Sequence, residues 1–316
     1  MAKIMFVGDI HLTGVAPASR KETNEQYRQT QLDKLSAIKL ACEHQGIQNV
    51  IILGDVFNNN SSISNYFETE IWSKFLEFKE LGINVYTIIG NHDMIFQNDN
   101  EFKGSYLYKA FLAGIIKHLD NITIDGVYIK GFDYNKEVTQ CEEYCKYSIC
   151  VAHSFYENEL YGGVGNSNLT EYKCIDSSFN AFVLGHDHTH YDDLHTGKFS
   201  VIRPGSLMRG TSKTCNLYRR VYVSMFNTSD LSWSSIEIQT KPGEEVFKEK
   251  VFVEKSMDLN LDKLLESFTY SKDMGLYDII DSREDIGRKL LDKDYDNVIN
   301  IIISYCESVG IYRRSL

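Results

Sequence analysis

Metal-binding side chains recur along this chain in five short motifs, each placed where an apolar run ends. Together the motifs supply two carboxylates, one amide and four imidazoles. One such motif would mean little, but five at equivalent positions predict a hydrolytic site with two metal ions. The motifs are GDIH at 8–11, GDVF at 54–57, GNHD at 90–93, AHS at 152–154 and GHDH at 185–188, and their predicted ligands are Asp9, His11, Asp55, Asn91, His153, His186 and His188.

The spacing within the motifs indicates how two ions could share these ligands. Two neighbouring divalent ions need a common ligand, and the carboxylate of Asp55 is the candidate. Asp9 and His11 are two residues apart on an extended chain, so both side chains can chelate one ion. His186 and His188 repeat that spacing, and each can reach a different ion where the loop bends. Mixed oxygen and nitrogen ligands suit Mn²⁺, Fe²⁺ or Zn²⁺ better than Ca²⁺ or Mg²⁺.

Charge balance favours a phosphoester as the substrate. Two divalent ions bring about four positive charges and two carboxylates remove two, which leaves about two for a hydroxide and an anionic phosphate. Such ions lower the pKa of bound water and stabilise an in-line displacement. His92 follows the predicted ligand Asn91, so its side chain can point into the cleft and act on the leaving oxygen, with Asp93 orienting it.

The five motifs need strands that end at one edge of a layered fold. Apolar runs rich in β-branched residues precede them, and helical spacings separate the first three. Strands that alternate with helices predict an α/β architecture with ligands beyond the carboxyl ends of the strands. From 127 to 239 strand patterns dominate, which predicts a second sheet and an α/β/β/α sandwich. The runs are 4–7, 50–53, 85–89, 149–152 and 181–184.

The length of the chain and a break in its sequence pattern predict two domains. The chain has 316 residues, of which 43% are hydrophobic and 24% charged, and this favours a large domain with a small appendage. The pattern changes after the Lys-Pro-Gly sequence at 241–243. We therefore predict a main domain over 1–240 and a small α+β capping domain over 245–316.

The amino-acid composition bears on the cellular location of the protein and on the partners it can bind. The formal net charge of −11 weakly argues against nucleic acid, although two bound ions would offset it locally. No apolar stretch approaches the roughly 20 residues of a membrane helix, and the first residues do not resemble a signal peptide. Seven irregularly spaced cysteines fit a reducing compartment and are interpreted as buried or incidental thiols. The sequence therefore predicts a cytoplasmic protein with no membrane partner.

The motif series resembles that of the calcineurin-like metallophosphoesterases, in order and spacing, across about residues 3–206. This resemblance implies the four-layer α/β/β/α sandwich of that superfamily and makes His92 the catalytic histidine. It also implies a division of the ligands. One ion would be held by Asp9, His11, Asp55 and His188, and the other by Asp55, Asn91, His153 and His186.

Within that superfamily the chain is similar to the SbcD-type DNA repair nucleases, including phage forms. GDVF leads into a polar loop and a helix (58–78), where that group has its DNA-facing loop. The segment FSVIRPGSLMRG at 199–210 resembles the PGS segment that follows their last ligand, although a plain turn with two solvated cations is the alternative. The C-terminal extension resembles their capping domain and the helices that dock an SMC-type ATPase.

The second resemblance implies a Mn²⁺-dependent exo- or endonuclease subunit in double-strand-break repair or recombination. Asn58 and Arg209 would contact DNA, and helices within 257–316 would bind an SbcC-like ATPase. A homodimer would use the apolar helices near 67–78 and 107–118, which fit an ordinary core equally well.

Two other functions compete with the nuclease. A phosphodiesterase for a nucleotide or cyclic nucleotide would use the same centre, but needs no C-terminal extension. A non-catalytic scaffold would have no need of the seven ligands and His92. Asp187 and His190 stay undecided, with support of a metal ligand as one role. The histidines that match no motif are His44, His118 and His195.

Overall fold

Two six-stranded sheets stacked face to face form the centre of the fold. The computed structural model describes residues 2–248, except 59–62, 95–98, 142, 144, 157–167 and 211–213. The predicted capping domain over 245–316 and the ATPase-binding helices within it lie almost wholly outside the described residues. That domain boundary therefore stays a prediction.

The described elements alternate between strands and helices through the first half of the chain, as the apolar periodicity predicts. The strands are β1 (Lys3–Val7), β2 (Asn49–Ile52), β3 (Asn84–Thr87), β4 (Lys117–His118), β5 (Asn121–Ile124), β6 (Val127–Phe132), β7 (Tyr147–His153), β8 (Phe155–Tyr156), β9 (Asn168–Leu169), β10 (Ala181–Gly185), β11 (Leu194–His195), β12 (Ser200–Ile202), β13 (Val221–Asn227) and β14 (Ser232–Ile238). The helices are α1 (Asn24–Gln45), α2 (Asn65–Glu80), α3 (Tyr106–Leu112), α4 (Glu171–Ser177), α5 (Thr214–Tyr218) and α6 (Gly243–Val246), with a 3₁₀ helix at Asp99–Gly104.

Strand direction places the motif loops at a common edge. The first sheet has the order β14-β13-β1-β2-β3-β4, and β1 to β4 run parallel. The second has the order β11-β12-β10-β7-β6-β5, and β6, β7, β10 and β12 run parallel. Antiparallel strands occupy the outer positions, namely β13 and β14 in one sheet and β5 and β11 in the other. Parallel strands end together, so the loops after them meet.

Three apolar layers hold the four-layer sandwich together. The central layer lies between the sheets and joins Ile51 of β2 and Leu53, which follows β2, to Val151 of β7 and Val183 of β10, all fully buried. A second layer packs the other face of the first sheet against α1, α2 and α3. A third packs the second sheet against α4 and its flanking loop. The predicted α/β/β/α sandwich is confirmed.

Helix α1 shows how local sequence sets an element's limits. Thr23 caps its N-terminus, and its hydroxyl and the Gln26 side chain bond each other's backbone N–H groups. The helix ends at Gly46, whose φ of 66° is a left-handed conformation that glycine adopts without strain. The buried face follows the predicted 3.6-residue spacing.

The helices proposed for a dimer interface belong largely to the core. Phe67, Ile71, Phe75 and Phe78 of α2 are all buried beneath the first sheet. The third helical pattern, predicted to continue to 118, stops at Leu112, because Gly114 follows with a φ of 60° and the chain then enters β4. These apolar residues are accounted for as core, and the homodimer stays a prediction.

Most of the free thiols in the described part of the chain are buried. Among the described residues five cysteines are free, and three of them (Cys42, Cys150 and Cys174) are buried. Among the helices of residues 2–248 that the structure describes, none has the length and apolar character needed to span a membrane.

Replacing Ile129 with alanine removes a fully buried side chain from between the sheets. We expect the free energy of unfolding to fall by about 2–5 kcal/mol, because packing is lost and a cavity remains. Leu112→Ala is the control, since this side chain is 72% exposed and its loss should cost less than about 0.5 kcal/mol. Urea unfolding followed by circular dichroism measures both, and equal effects would contradict the sheet packing.

Candidate metal centre

Loops from both sheets bring the motif side chains together at one edge of the sandwich. Asp9 and Asp55 stand two or three residues beyond the ends of β1 and β2, His153 ends β7, and His186 directly follows β10. Two groups of potential ligand atoms result, and within each group all atoms lie within 4.8 Å of one another. The groups are Asp9, His11, Asp55 and His188, and Asp55, His153 and His186.

The first group contains closely opposed imidazole nitrogens. His11 Nε2 lies 2.9 Å from His188 Nε2, and 3.6 Å from Asp55 Oδ2. His188 Nε2 in turn lies 3.4 Å from Asp9 Oδ2. Burial lowers the pKa of His11 to about 4, so its ring is neutral at pH 7, as a metal ligand must be.

The second group holds His153 in the orientation that a ligand needs. Its Nδ1 donates to the carbonyl of Leu53 at 2.8 Å, which directs Nε2 toward the centre. There Nε2 lies 3.4 Å from Asp55 Oδ2 and 2.9 Å from Asn91 Oδ1. Asn91 thus joins this group, as the predicted ligand division requires.

The electrostatics of the second group favour a cation at its centre. Burial acts to lower the pKa of His153, but the charge and hydrogen bond of Asp55 outweigh burial and raise it to about 10. Burial also acts to raise the pKa of Asp55, but the neighbouring histidines lower it overall. Burial lowers the pKa of His186 to about 4. The donor set therefore fits a dinuclear metal centre with Asp55 between the two ions.

Three of the ligand residues have unusual backbone conformations. His11, Asp55 and His186 have φ values of 52°, 49° and 80°, in the left-handed region that residues with a Cβ rarely adopt. Such conformations cost on the order of 1–3 kcal/mol each and cluster at functional sites. The loops are therefore shaped for ligand placement at the expense of local backbone stability.

Backbone hydrogen bonds lock the loops to one another. The N–H groups of Ile10 and His11 both donate to the Asp55 carbonyl, at 3.1 and 2.8 Å. The Asp9 carboxylate accepts from the His186 N–H at 3.1 Å, so the first and fifth motifs are joined. Asp55 Oδ1 accepts from the His92 N–H at 2.7 Å, which joins the second motif to the third.

His92 lies beside the first group and contacts an unexpected neighbour. Its ring is 4.8 Å from that of His11, and its Nδ1 is 3.4 Å from Asn58 Oδ1. Asn58 was predicted only as a DNA contact. In the structure its side chain contacts the His92 ring. The position of Asn58 directly after GDVF is the sequence feature that could have indicated this contact.

Asp93 lies buried between the second and third motif loops. Its two carboxylate oxygens accept from the N–H groups of Phe57 and Gly90, at 2.9 and 3.0 Å. These bonds tie the second and third motif loops together. Burial, followed by the charge of Asp55, raises the pKa of Asp93 well above its usual value. These bonds make Asp93 an anchor of both loops, and its predicted role in orienting the His92 ring stays a prediction.

The remaining candidates lie outside both groups. Asp187 accepts from the Thr189 N–H and the Tyr191 hydroxyl, which shapes the fifth loop. His190 packs against the ring of Tyr222 at 4.4 Å. The predicted DNA contact Arg209 is buried, and one guanidinium nitrogen donates to the carbonyl of Lys241.

Aromatic side chains that the sequence did not indicate pack against the ligand rings. Phe155 lies 4.3 Å from the ring of His186, and Tyr134 lies 5.5 Å from the same ring. Tyr134 also approaches His153, at 6.0 Å. These contacts restrict the ring orientations of two ligands. The only signal in the sequence was the position of Phe155 two residues after His153.

Comparisons with known proteins give a family match. The family model described as calcineurin-like phosphoesterase matches residues 2–190. The comparison with curated proteins gave no match. Among solved structures, a dimetal phosphatase from Danio rerio is 12% identical with a TM-score of 0.44, over 75% of this chain and 99% of that one. Vps29 from Chaetomium thermophilum is 9% identical with a TM-score of 0.35, over 77% of this chain and 100% of that one.

Gly90→Ala tests the position of the shared carboxylate. An added Cβ would lie 2.1 Å from Asp55 Oδ1, so the carboxylate would have to move. We expect Mn²⁺ affinity, measured by calorimetry, to fall at least about tenfold. Gly210→Ala is the matched control, because its nearest neighbour, Tyr27 Oη, is 3.7 Å away. Unchanged affinity in Gly90→Ala would argue against Asp55 as the shared ligand.

Proposed function

Because the chain belongs to the calcineurin-like phosphoesterase family, we propose that it is a DNA nuclease subunit with a two-metal centre. The observation that supports hydrolysis most directly is Asp55, which is common to both groups of ligand atoms. The coarser activity, metal-dependent phosphoester hydrolysis, follows from the family and these groups. DNA as the substrate is the finer proposal.

The chain's own residues have separable roles in this proposal. The two ligand groups would hold the ions, which when bound activate water and offset the charge of the phosphate. An amide oxygen can only accept, so the contact with Asn58 positions the His92 ring through its Nδ1 and leaves Nε2 for the substrate. A neutral ring with its proton on Nδ1 can only accept at Nε2, so Nε2 donates to a phosphate oxygen or to the leaving oxygen from the doubly protonated ring.

Support for DNA comes from the sequence resemblance rather than from a basic surface. The GDVF loop and the PGSLMRG segment resemble those of SbcD-type nucleases. The contact of Asn58 with His92 supports a position for Asn58 near the scissile phosphate. The buried Arg209 does not add to this support, so we assign the proposed DNA contact to Asn58.

The metal, the partners and the location are part of the same proposal. Mn²⁺ suits the mixed ligands, with Fe²⁺ or Zn²⁺ as alternatives. An SbcC-like SMC-type ATPase binding to 257–316, a homodimer, and a role in double-strand-break repair or recombination rest on the resemblance alone. The cytoplasmic location rests on the sequence composition.

One observation favours a second candidate, a phosphodiesterase for a nucleotide or cyclic nucleotide. The formal net charge of −11 opposes long-range attraction of a polyanion such as DNA. A small substrate would meet mainly the centre itself, where bound ions dominate the local charge. The two candidates therefore share a centre and differ in the size of their substrate.

Substrate range separates the two candidates. The full chain with Mn²⁺ is assayed on linear duplex DNA, single-stranded DNA and a small bis-aryl phosphodiester. We expect cleavage of all three and its loss in Asp55→Ala, because the ligand shared by both groups is removed. Hydrolysis of the small ester without cleavage of DNA, even with the ATPase present, would leave the second candidate. Full activity in Asp55→Ala would contradict the shared-ligand assignment.

His92→Ala isolates the proton-transfer role. We expect kcat to fall by about 10²–10⁴-fold, the usual contribution of a positioned acid or base, with Mn²⁺ content unchanged. His44→Ala is the matched control, because His44 is exposed and lies on α1. A His92→Ala protein that lost its ions would indicate a ligand role instead.

Asn58→Ala distinguishes positioning of His92 from contact with DNA. If Asn58 positions the ring, kcat should fall about tenfold on the small ester as well as on DNA, the effect of one lost hydrogen bond. A contact to DNA alone would raise KM for DNA and leave the small ester unchanged. Measuring both substrates therefore decides between the two roles.

A further inference from the structure

A cavity with both charged and apolar walls lies behind the turn that follows β12. It has a volume of about 170 Å³ and is bordered by α1, by residues 208–209 and by the segment after β14. Roughly 10–15 Å³ suffices for one water molecule, so the cavity can hold a group of several heavy atoms. None of its lining residues belongs to the metal centre.

The cavity wall carries an excess of buried positive charge. Arg20, Lys34 and Arg209 line it and are only 4%, 7% and 5% exposed. The nearest acid among them is Glu22, which pairs with Arg20 through Nε at 2.5 Å. Asp33 also lines the cavity but is exposed. One partly buried carboxylate, already paired with Arg20, therefore faces three buried cations.

These cations donate hydrogen bonds to backbone carbonyls, which satisfies their N–H groups but does not neutralise their charge. Lys34 Nζ donates to the carbonyl of Leu207 at 2.5 Å, and Arg20 Nη1 donates to the carbonyl of Arg209 at 2.8 Å. Burial and the neighbouring arginines lower the pKa of Lys34 well below its usual range. Burying unpaired charge is costly, so the cluster would be stabilised by an anion.

We propose that this cavity binds a small oxyanion of the phosphate class. Arginine guanidinium groups match the geometry of phosphate oxygens, and the ammonium of Lys34 adds a point charge. Thr30, Gln239 and Thr240 line the same cavity and offer further polar groups. Lys241 lies exposed at the cavity's edge, where an anion would enter. This site is separate from the centre that performs the proposed hydrolysis.

The site is mechanically connected to the metal centre through one turn. The carbonyl of Leu207 accepts from Lys34, while its N–H donates to the carbonyl of Asp9 at 2.8 Å. The adjacent Ser206 N–H donates to the carbonyl of His188 at 3.1 Å. An anion that holds Lys34 charged and in place therefore also steadies the turn behind two ligand loops.

The test measures anion binding with the metal centre disabled. Full-length Asp55→Asn protein, freed of metal with a chelator, is titrated calorimetrically with inorganic phosphate and with a nucleoside monophosphate at constant ionic strength. We expect phosphate to bind and to raise the melting temperature, with chloride giving neither effect. Tighter binding of the nucleotide would identify a phosphoryl group as the ligand; tighter binding of phosphate would identify the free ion.

Variants of the cavity wall locate the binding. In the same background, Lys34→Met should lower phosphate affinity at least tenfold, and Lys241→Ser, at an exposed position, should weaken it severalfold without affecting folding. Lys198→Ser is the control, because Lys198 is exposed and does not line the cavity. Absence of phosphate binding in the parent protein, or equal binding in all variants, would overturn the proposal. Neither result depends on whether the chain cleaves DNA.

Discussion

The shared carboxylate of Asp55 is the interaction on which the rest of the centre depends. Its oxygens lie among ligand atoms of both groups, and its carbonyl accepts from two N–H groups of the first motif loop. One residue therefore fixes loops from β1, β2 and β3, while His153 adds the second sheet. Placing a buried acid here is stable only because histidines surround it, and the same histidines make the place suitable for divalent cations.

The fold was predictable because its central strands are buried on both faces. Continuous apolar runs mark such strands, and the helical spacing of α1 and α2 fixes what covers them. Short elements such as β8, β11 and α5 left no periodic signal, since two to five residues cannot show a repeat. The end of α3 was missed because helical spacing continues past Leu112, whereas Gly114 adopts a left-handed conformation that ends the helix.

The types of the side chains at the centre could be predicted from the sequence, whereas several of their contacts could not. Carboxylate, amide and imidazole side chains at loop positions are common metal ligands, and the structure brings six of the seven predicted ones into two groups, with Asn91 2.9 Å from His153. The partners of Asp93 and Arg209 depend on tertiary packing, which brings distant backbone groups to their side chains. No spacing in the sequence encodes that an aspartate beside a histidine bonds the backbone of another loop, or that an arginine after a turn is buried.

The left-handed conformations at His11, Asp55 and His186 connect the supply of metal with how long the folded protein survives. The strained backbone lowers the local stability of this edge, although hydrogen bonds join its loops, and transient opening would expose the chain to proteases. Ions that bind only the folded state oppose this opening by mass action. A protein that binds ions here would therefore be degraded more readily when metal is scarce.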